Sequence, residues 1–162
     1  KVENGILFIS YDNNVQIISQ TEPLKVTVPS KKINEIILKN GAKLSNLGSI
    51  EILKLKISAS ENSKADLKIK TDEVIIHTEG EAELKLSGNS NIVNISHNGT
   101  KDLDAKDLST FYSEIELNSS GSLYSNTVSG IDGNINSTGN LYYKATKTVN
   151  VKENDLGRAT KY

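Results

Sequence analysis

The sequence predicts an all-β protein, a flattened β-solenoid with coils of about 20 residues and a small antiparallel β cap at its N-terminal end. Three observations carry this reading. Glycines that follow a small or polar residue punctuate the chain at a near-constant interval, the segments between them alternate apolar and polar residues with a period of two, and helical spacing is essentially missing.

The N-terminal segment, Lys1 to Ser30, differs from the rest. Gly5–Ser10, Val15–Ile18 and Leu24–Val28 are apolar runs separated by Asp12-Asn13-Asn14 and Thr21-Glu22-Pro23, the pattern of a short antiparallel meander. Both prolines, Pro23 and Pro29, lie here. A solenoid exposes unpaired strand edges at its ends, so residues 1–30 are expected to cap residues 31–162 within one domain spanning 1–162.

From Lys31 onward the corners set the period. Asn40-Gly41, Glu79-Gly80, Asn98-Gly99, Ser120-Gly121, Thr138-Gly139 and Leu156-Gly157 follow one another at sequence intervals of 39, 19, 22, 18 and 18, and a turn-like Ser60–Ser63 lies midway through the first interval. A second series of corners falls between these, at Gly48, Thr71-Asp72, Ser87-Gly88-Asn89, Lys106-Asp107, Ser129-Gly130 and Lys147-Thr148. Glycine supplies positive φ where a chain turns, and asparagine tolerates the same region. The strands between corners include Ile50–Ile57, Leu67–Ile69, Val74–Ile76, Ala82–Leu86, Ile115–Leu117 and Leu141–Tyr143. Asp102–Ser109 sits where the spacing demands strand and corner, and reads as irregular β. Such a coil is too short for a propeller blade, which needs about 40–45 residues. Each strand is therefore expected to pair in parallel with its counterpart one coil later, with Leu67, Leu84, Leu123 and Leu141 forming one inward ladder.

Composition narrows the function. Apolar residues make up 36% and aromatics 5%, which gives a thin aliphatic core. With 19 basic and 20 acidic residues, and Arg158 the one arginine, nothing favours nucleic acid or an anionic membrane. Cysteine is absent, which removes disulfides, thiol nucleophiles and thiolate metal sites. The longest apolar run, Ile6–Ile9, is far short of the roughly 20 residues that cross a bilayer as a helix. The start at Lys1 and the lack of methionine read as a trimmed or processed chain.

The Leu24-Lys-Val-Thr-Val-Pro29 segment, the tight turns Ser87-Gly-Asn-Ser90, Asn98-Gly-Thr100, Ser120-Gly-Ser122 and Ser137-Thr-Gly-Asn140, and the closing Tyr142-Tyr143 and Val149-Asn-Val-Lys152 carry a resemblance over nearly the whole chain. It resembles the auto-transporter adhesin head GIN domain family of bacterial envelope proteins. The resemblance implies a right-handed parallel β-helix, shaped like pectin lyases and hexapeptide acyltransferases but without their catalytic residues. It also implies a role in cell adhesion and a cell-envelope or extracellular location. The glycine that commonly follows the last tyrosine in that family is Ala145 here.

No residue set stands out as catalytic, and no cofactor is expected. His77 and His97 are separated by one coil length, close enough in register to stack on adjacent coils and begin a metal site, with Glu79 or Asp102 as a third ligand. No HExxH spacing accompanies them, and the ordinary reading is a surface pair. Asp102, Asp104 and Asp107 form the densest acidic cluster, the place to look for glycan cleavage or weak calcium binding. Strand alternation puts Asp102 and Asp104 on one side and Leu103 and Ala105 on the other, which is a solvated face. No calcium loop motif surrounds the cluster, and no nucleophile elbow or phosphate loop occurs elsewhere. Asn94, Asn98, Asn118 and Asn136 match the N-glycosylation pattern, as expected by chance in a chain rich in Asn and Ser. Among the aromatics Phe111, Tyr112, Tyr124, Tyr142 and Tyr143, one of each adjacent pair is expected to face out, giving Tyr112, Tyr124, Tyr142 and Tyr143 as a candidate binding surface for a glycan or a protein. The same residues could instead close one face against a second copy of the chain.

The leading expectation is a non-enzymatic adhesin-like or scaffold module of the cell envelope. A glycan-binding or glycan-cleaving β-helix using Asp102, Asp104 and the Tyr142-Tyr143 region is the alternative. An envelope sensor domain is a further one, resting on the family analogy.

Overall fold

The computed structural model describes residues 1–10, 25–28, 32–144 and 147–162. Its strands are β1 (Val2–Glu3), β2 (Ile6–Leu7), β3 (Glu35–Leu38), β4 (Lys43–Ser45), β5 (Ile50–Ala59), β6 (Lys64–Gly80), β7 (Glu83–Gly99), β8 (Leu103–Leu117), β9 (Leu123–Ile135), β10 (Leu141–Lys144), β11 (Thr148–Glu153) and β12 (Ala159–Lys161). From β3 onward every pairing is parallel and joins one coil to the next, making a β-solenoid of about seven turns.

A coil consists of two strand limbs. In β6 the first limb buries Ala65, Leu67 and Ile69 and the second buries Val74, Ile76 and Thr78. The step from Ile69 through buried Thr71 to Val74 breaks the period of two, and that break is the corner. Register pairing skips Asp72, Asn91 and Phe111, the residues that stand at the corner of successive coils. The expected corner at Ser87-Gly88-Asn89 is therefore displaced to Ser90-Asn91, and Gly88 lies inside the first limb of β7, paired with Ile69. At Lys106-Asp107 the ladder shifts register between Ala105 and Ser109, a bulge in the irregular β expected there.

Register also measures the coil, and the coil shortens along the chain. Early in the solenoid Lys43 pairs with Lys64 and Lys64 with Glu83, whereas at its far end Leu123 pairs with Leu141 and Leu141 with Ala159, three positions fewer per coil than the first of these. In the shortest coils the other corner closes over a glycine column. A Cβ on Gly139 would run into the carbonyl oxygen of Gly121, and one on Gly157 into that of Gly139. No other residue fits a backbone approach this close.

The core is a set of inward ladders. Ala65, Leu84, Leu103, Leu123, Leu141 and Ala159 form one. Leu84, Leu123 and Leu141 were expected in it, but Leu67 belongs to the neighbouring ladder with Leu86, because Leu84 pairs with Ala65. Further along, serine and threonine enter the interior: Thr110, Ser113, Ser125 and Thr127 are buried and hydrogen-bond one another.

The N-terminal sheet is antiparallel, as expected, and among the described residues it has two strands. Val2 pairs with Leu7 and Glu3 with Ile6, around a turn at Asn4-Gly5 whose φ angles are 49° and 78°. Two consecutive positive φ values suit Asn-Gly, so Gly5 belongs to the turn, and of the strand expected over Gly5–Ser10 only Ile6–Leu7 is strand. Residues 25–28 form no strand and are exposed. The expected strand Val15–Ile18, Leu24 and both prolines lie outside the described residues.

Candidate functional site

Because coils stack in register, an outward residue lies directly over its counterpart in the next coil, roughly 4.7–4.9 Å away. Surface properties therefore come as columns. On the first limb one column runs Asp66, Lys85, Asp104, Tyr124, Tyr142 and Thr160. The Tyr124 and Tyr142 rings stack with centroids 5.1 Å apart and planes 18° from parallel. Each covers a face of the other, so the pair offers ring edges and hydroxyls to solvent. Burial pushes the Tyr124 phenol above its ordinary pKa, helped by the negative charges of Asp102 and Asp104. Tyr162 closes the same region: its N–H donates to the Tyr143 carbonyl at 3.2 Å, and Lys144 Nζ lies 5.7 Å from its ring centroid. Burial, then the nearby Asp104 charge, raises the Tyr162 pKa as well, with Lys106 opposing.

Of the four tyrosines singled out from sequence, the fold brings together Tyr124 and Tyr142. Tyr143 alternates inward and packs against the core, its backbone paired with buried Ser125. Tyr112 is on the second limb, where its hydroxyl donates to the Asp132 carboxylate, which raises the Tyr112 pKa. Phe111, at the corner, is 58% exposed.

The acidic cluster is occupied by structural contacts. Asp102 Oδ1 accepts from the Ser122 N–H at 2.8 Å, one coil on, and Asp104 takes both the Lys106 N–H at 3.1 Å and its ammonium at 2.8 Å. Leu103 and Ala105 are buried between them, as alternation requires. Asp107 stands at the bulge, paired with Ser87.

The two histidines do not meet. His77 pairs in register with Ser96, and His97 with Thr78, so a one-residue offset sends the two rings to opposite faces of the limb. His77 Nε2 lies outside, 2.6 Å from Glu79 Oε1, while His97 is fully buried with Nδ1 2.5 Å from Thr78 Oγ1. Burial pushes the His97 pKa down, only partly offset by the Lys101 backbone and the Asp102 carboxylate. Among the described residues no three His, Asp or Glu side chains converge as metal ligands.

Asn98, Asn118, Asn136 and Asn154 form an amide ladder at the end of the second limb, which sequence reasoning missed. Asn118 Nδ2 donates to Asn98 Oδ1 at 2.8 Å, Asn136 to Asn118 at 2.8 Å, and Asn154 to Asn136 at 2.6 Å. Asn98, Asn118 and Asn136 are among the residues that match the glycosylation pattern. The signal that distinguishes the four is their spacing of 20, 18 and 18, which repeats the coil length.

Fold and surface together define the class: a parallel β-solenoid whose exterior is a set of in-register polar and aromatic columns. The chain belongs to the family described as "Putative auto-transporter adhesin, head GIN domain", whose pattern matches residues 1–146. Among curated proteins nothing matches. Among solved structures it is similar in fold to a chain described as a putative adhesin from Bacteroides fragilis NCTC 9343, with a TM-score of 0.76 and 18% identity over 80% of this chain. The chain spans 60% of that protein's length. The family's description is of auto-transporter adhesins, a surface class.

Proposed function

We propose that this domain is a non-enzymatic, adhesin-like binding module of the bacterial cell envelope that presents its extended surface to an external ligand. The observation that carries the reading is the division of labour between inside and outside. The interior is filled by aliphatic and hydroxyl ladders, whereas the C-terminal coils display tyrosine and asparagine columns that no buried contact requires. On the first limb the Tyr124–Tyr142 edge presents hydroxyls at coil spacing, Tyr143 supports it from within, and Tyr162 borders it. The Asp102 and Asp104 carboxylates already accept from Ser122 and Lys106, which favours binding over cleavage in this region.

The test is binding of the purified domain to an array of host and bacterial glycans and matrix proteins, with and without calcium, followed by a cleavage assay on every glycan bound. Binding without turnover, weakened by Tyr124→Ala or Tyr142→Ala, is the expected result. Turnover of a bound glycan would overturn the non-enzymatic reading and return attention to Asp102 and Asp104.

A further inference from the structure

The outward side of the second limb changes character along the solenoid. Its early coils carry Lys54, Lys56, Glu73 and Ile75, a charged and aliphatic surface. From β7 onward the central column of the same face holds Asn94, Glu114, Asp132 and Asn150, flanked on one side by Ser96, Glu116, Asn134 and Lys152 and on the other by Ile92, Tyr112, Gly130 and Thr148. The asparagine ladder forms one border, and Glu116 lies beside it, accepting from Asn134 Nδ2 at 2.5 Å and Asn136 Nδ2 at 3.3 Å. The next column sets Glu114 over Asp132 and Asp132 over Asn150. Tyr112 forms the other border, its ring filling the space above Gly130, where a Cβ would touch it at 3.5 Å.

The unused hydrogen-bonding capacity of this array is periodic. A primary amide has two donors and an acceptor with two lone pairs, and the ladder consumes one donor and one lone pair per interior asparagine. Asn118 and Asn154 each keep a second donor, each ladder oxygen keeps a lone pair, and the exposed Glu114 carboxylate and Asn150 amide have no side-chain partner among the described residues. These groups recur at the strand spacing; those on β8 and β9 have backbone ladders on both sides and Asn150 on β11 is laddered to β9, so a ligand need not order the backbone that carries them. A matching ligand has many hydroxyls, repeats along its length, and has an apolar face for Tyr112. It is not anionic, because among the described residues of this face Glu114, Glu116 and Asp132 meet a single cation, Lys152. A protein partner fits less well, since the middle of a protein interface is apolar, whereas the middle of this array, Asn94, Glu114, Asp132 and Asn150, is polar and its exposed aliphatic residue, Ile92, stands at the Tyr112 border.

We infer that the second-limb face of β7, β8, β9 and β11 is a carbohydrate-binding site for a neutral, linear polysaccharide lying along the solenoid axis. The inference rests on the adhesin-like reading above and names the ligand class for one face of it. It is tested by retention of the domain on cellulose, chitin, mannan and amylose, with alginate as the anionic comparison and matrix proteins in parallel. Substitution in the ladder itself risks unfolding, so the variants are Glu114→Ala with Asn150→Ala, both exposed, with Lys68→Ala on the first limb as control, outside the Tyr124–Tyr142 column, and circular dichroism to confirm folding. The expected result is retention on at least one neutral polysaccharide, weakened about tenfold by the double variant and unchanged by the control, as loss of two ligand hydrogen bonds predicts. Binding to matrix proteins with no polysaccharide retained would overturn the inference and leave the adhesin-like reading standing. Equal retention on alginate, or retention indifferent to the double variant, would also overturn it. Silence on the entire panel would overturn both.

Discussion

The coils of β5 and β6 and those of β8 and β9 meet the same geometric demand with different chemistry. In the early coils Leu55, Ile57, Leu67, Ile69, Val74 and Ile76 fill the interior and lysine–glutamate pairs cross the outside. In the late coils Thr110, Ser113, Ser125 and Thr127 enter the interior, glycines line the corner, and asparagine and tyrosine columns cover the outside. The hydroxyl cluster lies where the β8–β9 ladder shifts register, between Ala105 and Ser109 and again between Thr110 and Tyr112, and there small hydroxyls that satisfy one another take inward positions. Burial of apolar area holds both regions, with Leu103, Leu108, Ile115, Leu117, Leu123, Ile131 and Ile135 fully buried in the late coils, and the late coils add a closed hydroxyl network to it. The late exterior carries its own amide and phenol contacts between coils, with spare hydrogen-bonding groups beside them, and is the region to search for ligands.

Substitution in each region separates the two mechanisms. Leu67 is fully buried, so Leu67→Ala is expected to cost about 2–5 kcal/mol through lost transfer energy and a residual cavity. In the late coils the matching probe keeps volume and removes a hydroxyl. Thr127 Oγ1 lies 2.7 Å from Ser113 Oγ, 3.0 Å from Ser125 Oγ and 3.1 Å from Thr110 Oγ1, so Thr127→Val takes a partner from three hydroxyls, leaves Ser125 Oγ stranded while Thr110 and Ser113 keep each other, and is expected to cost about 1–3 kcal/mol despite adding an apolar methyl. Because coils interact with nearest neighbours, residue-level hydrogen exchange is the measurement, with each loss centred on its own region. If Thr127→Val stabilises the late coils, the contrast between the regions is wrong.

His97 lies where the two regions meet, with Thr78 before it and Leu117 after it in the inward ladder. Its pKa is lowered by burial, so the unfolded chain binds the proton more readily. The stability it contributes is therefore complete above the unfolded value of about 6.5 and is lost as pH falls below that value toward the folded one. Urea unfolding followed between neutral pH and about pH 5 is expected to show this loss before the carboxylates titrate. His97→Gln should flatten the profile in that window, and an unchanged slope would refute the role given to burial.

Much of the architecture was legible in the sequence because a solenoid writes its period into the chain. Glycine spacing gave the coil length, alternation gave the inward ladders, and the placement of Asp102 and Asp104 outside Leu103 and Ala105 followed from alternation alone. What failed depended on register to a single residue. Stacking His77 on His97 requires the two to be register partners, but His77 pairs with Ser96, and a slip of one position reverses the face. Gly88 was read as a corner because glycine marks turns, yet the corner lies at Ser90-Asn91, where no glycine is needed. The asparagine ladder was hidden for a related reason: asparagine at a turn is ordinary, and only the coil period shows that these four are stacked.

The smallest expected effect tests the outside of the early coils. Lys54 Nζ lies 3.0 Å from Glu73 Oε2 across adjacent coils, with the two side chains 60% and 30% exposed. Water screens such a pair, and ordering two long side chains offsets most of the attraction, so Lys54→Ala should cost no more than about 1 kcal/mol and less at high salt. Glu73 also accepts from Asn94 Nδ2 at 3.3 Å, so its carboxylate keeps a partner when the lysine is removed. Urea melts of Lys54→Ala at low and high salt measure the difference directly. A cost rivalling that of Leu67→Ala, and insensitive to salt, would mean that the early coils are held as much by their surface as by their core, and the contrast with the late coils would have to be redrawn around charge.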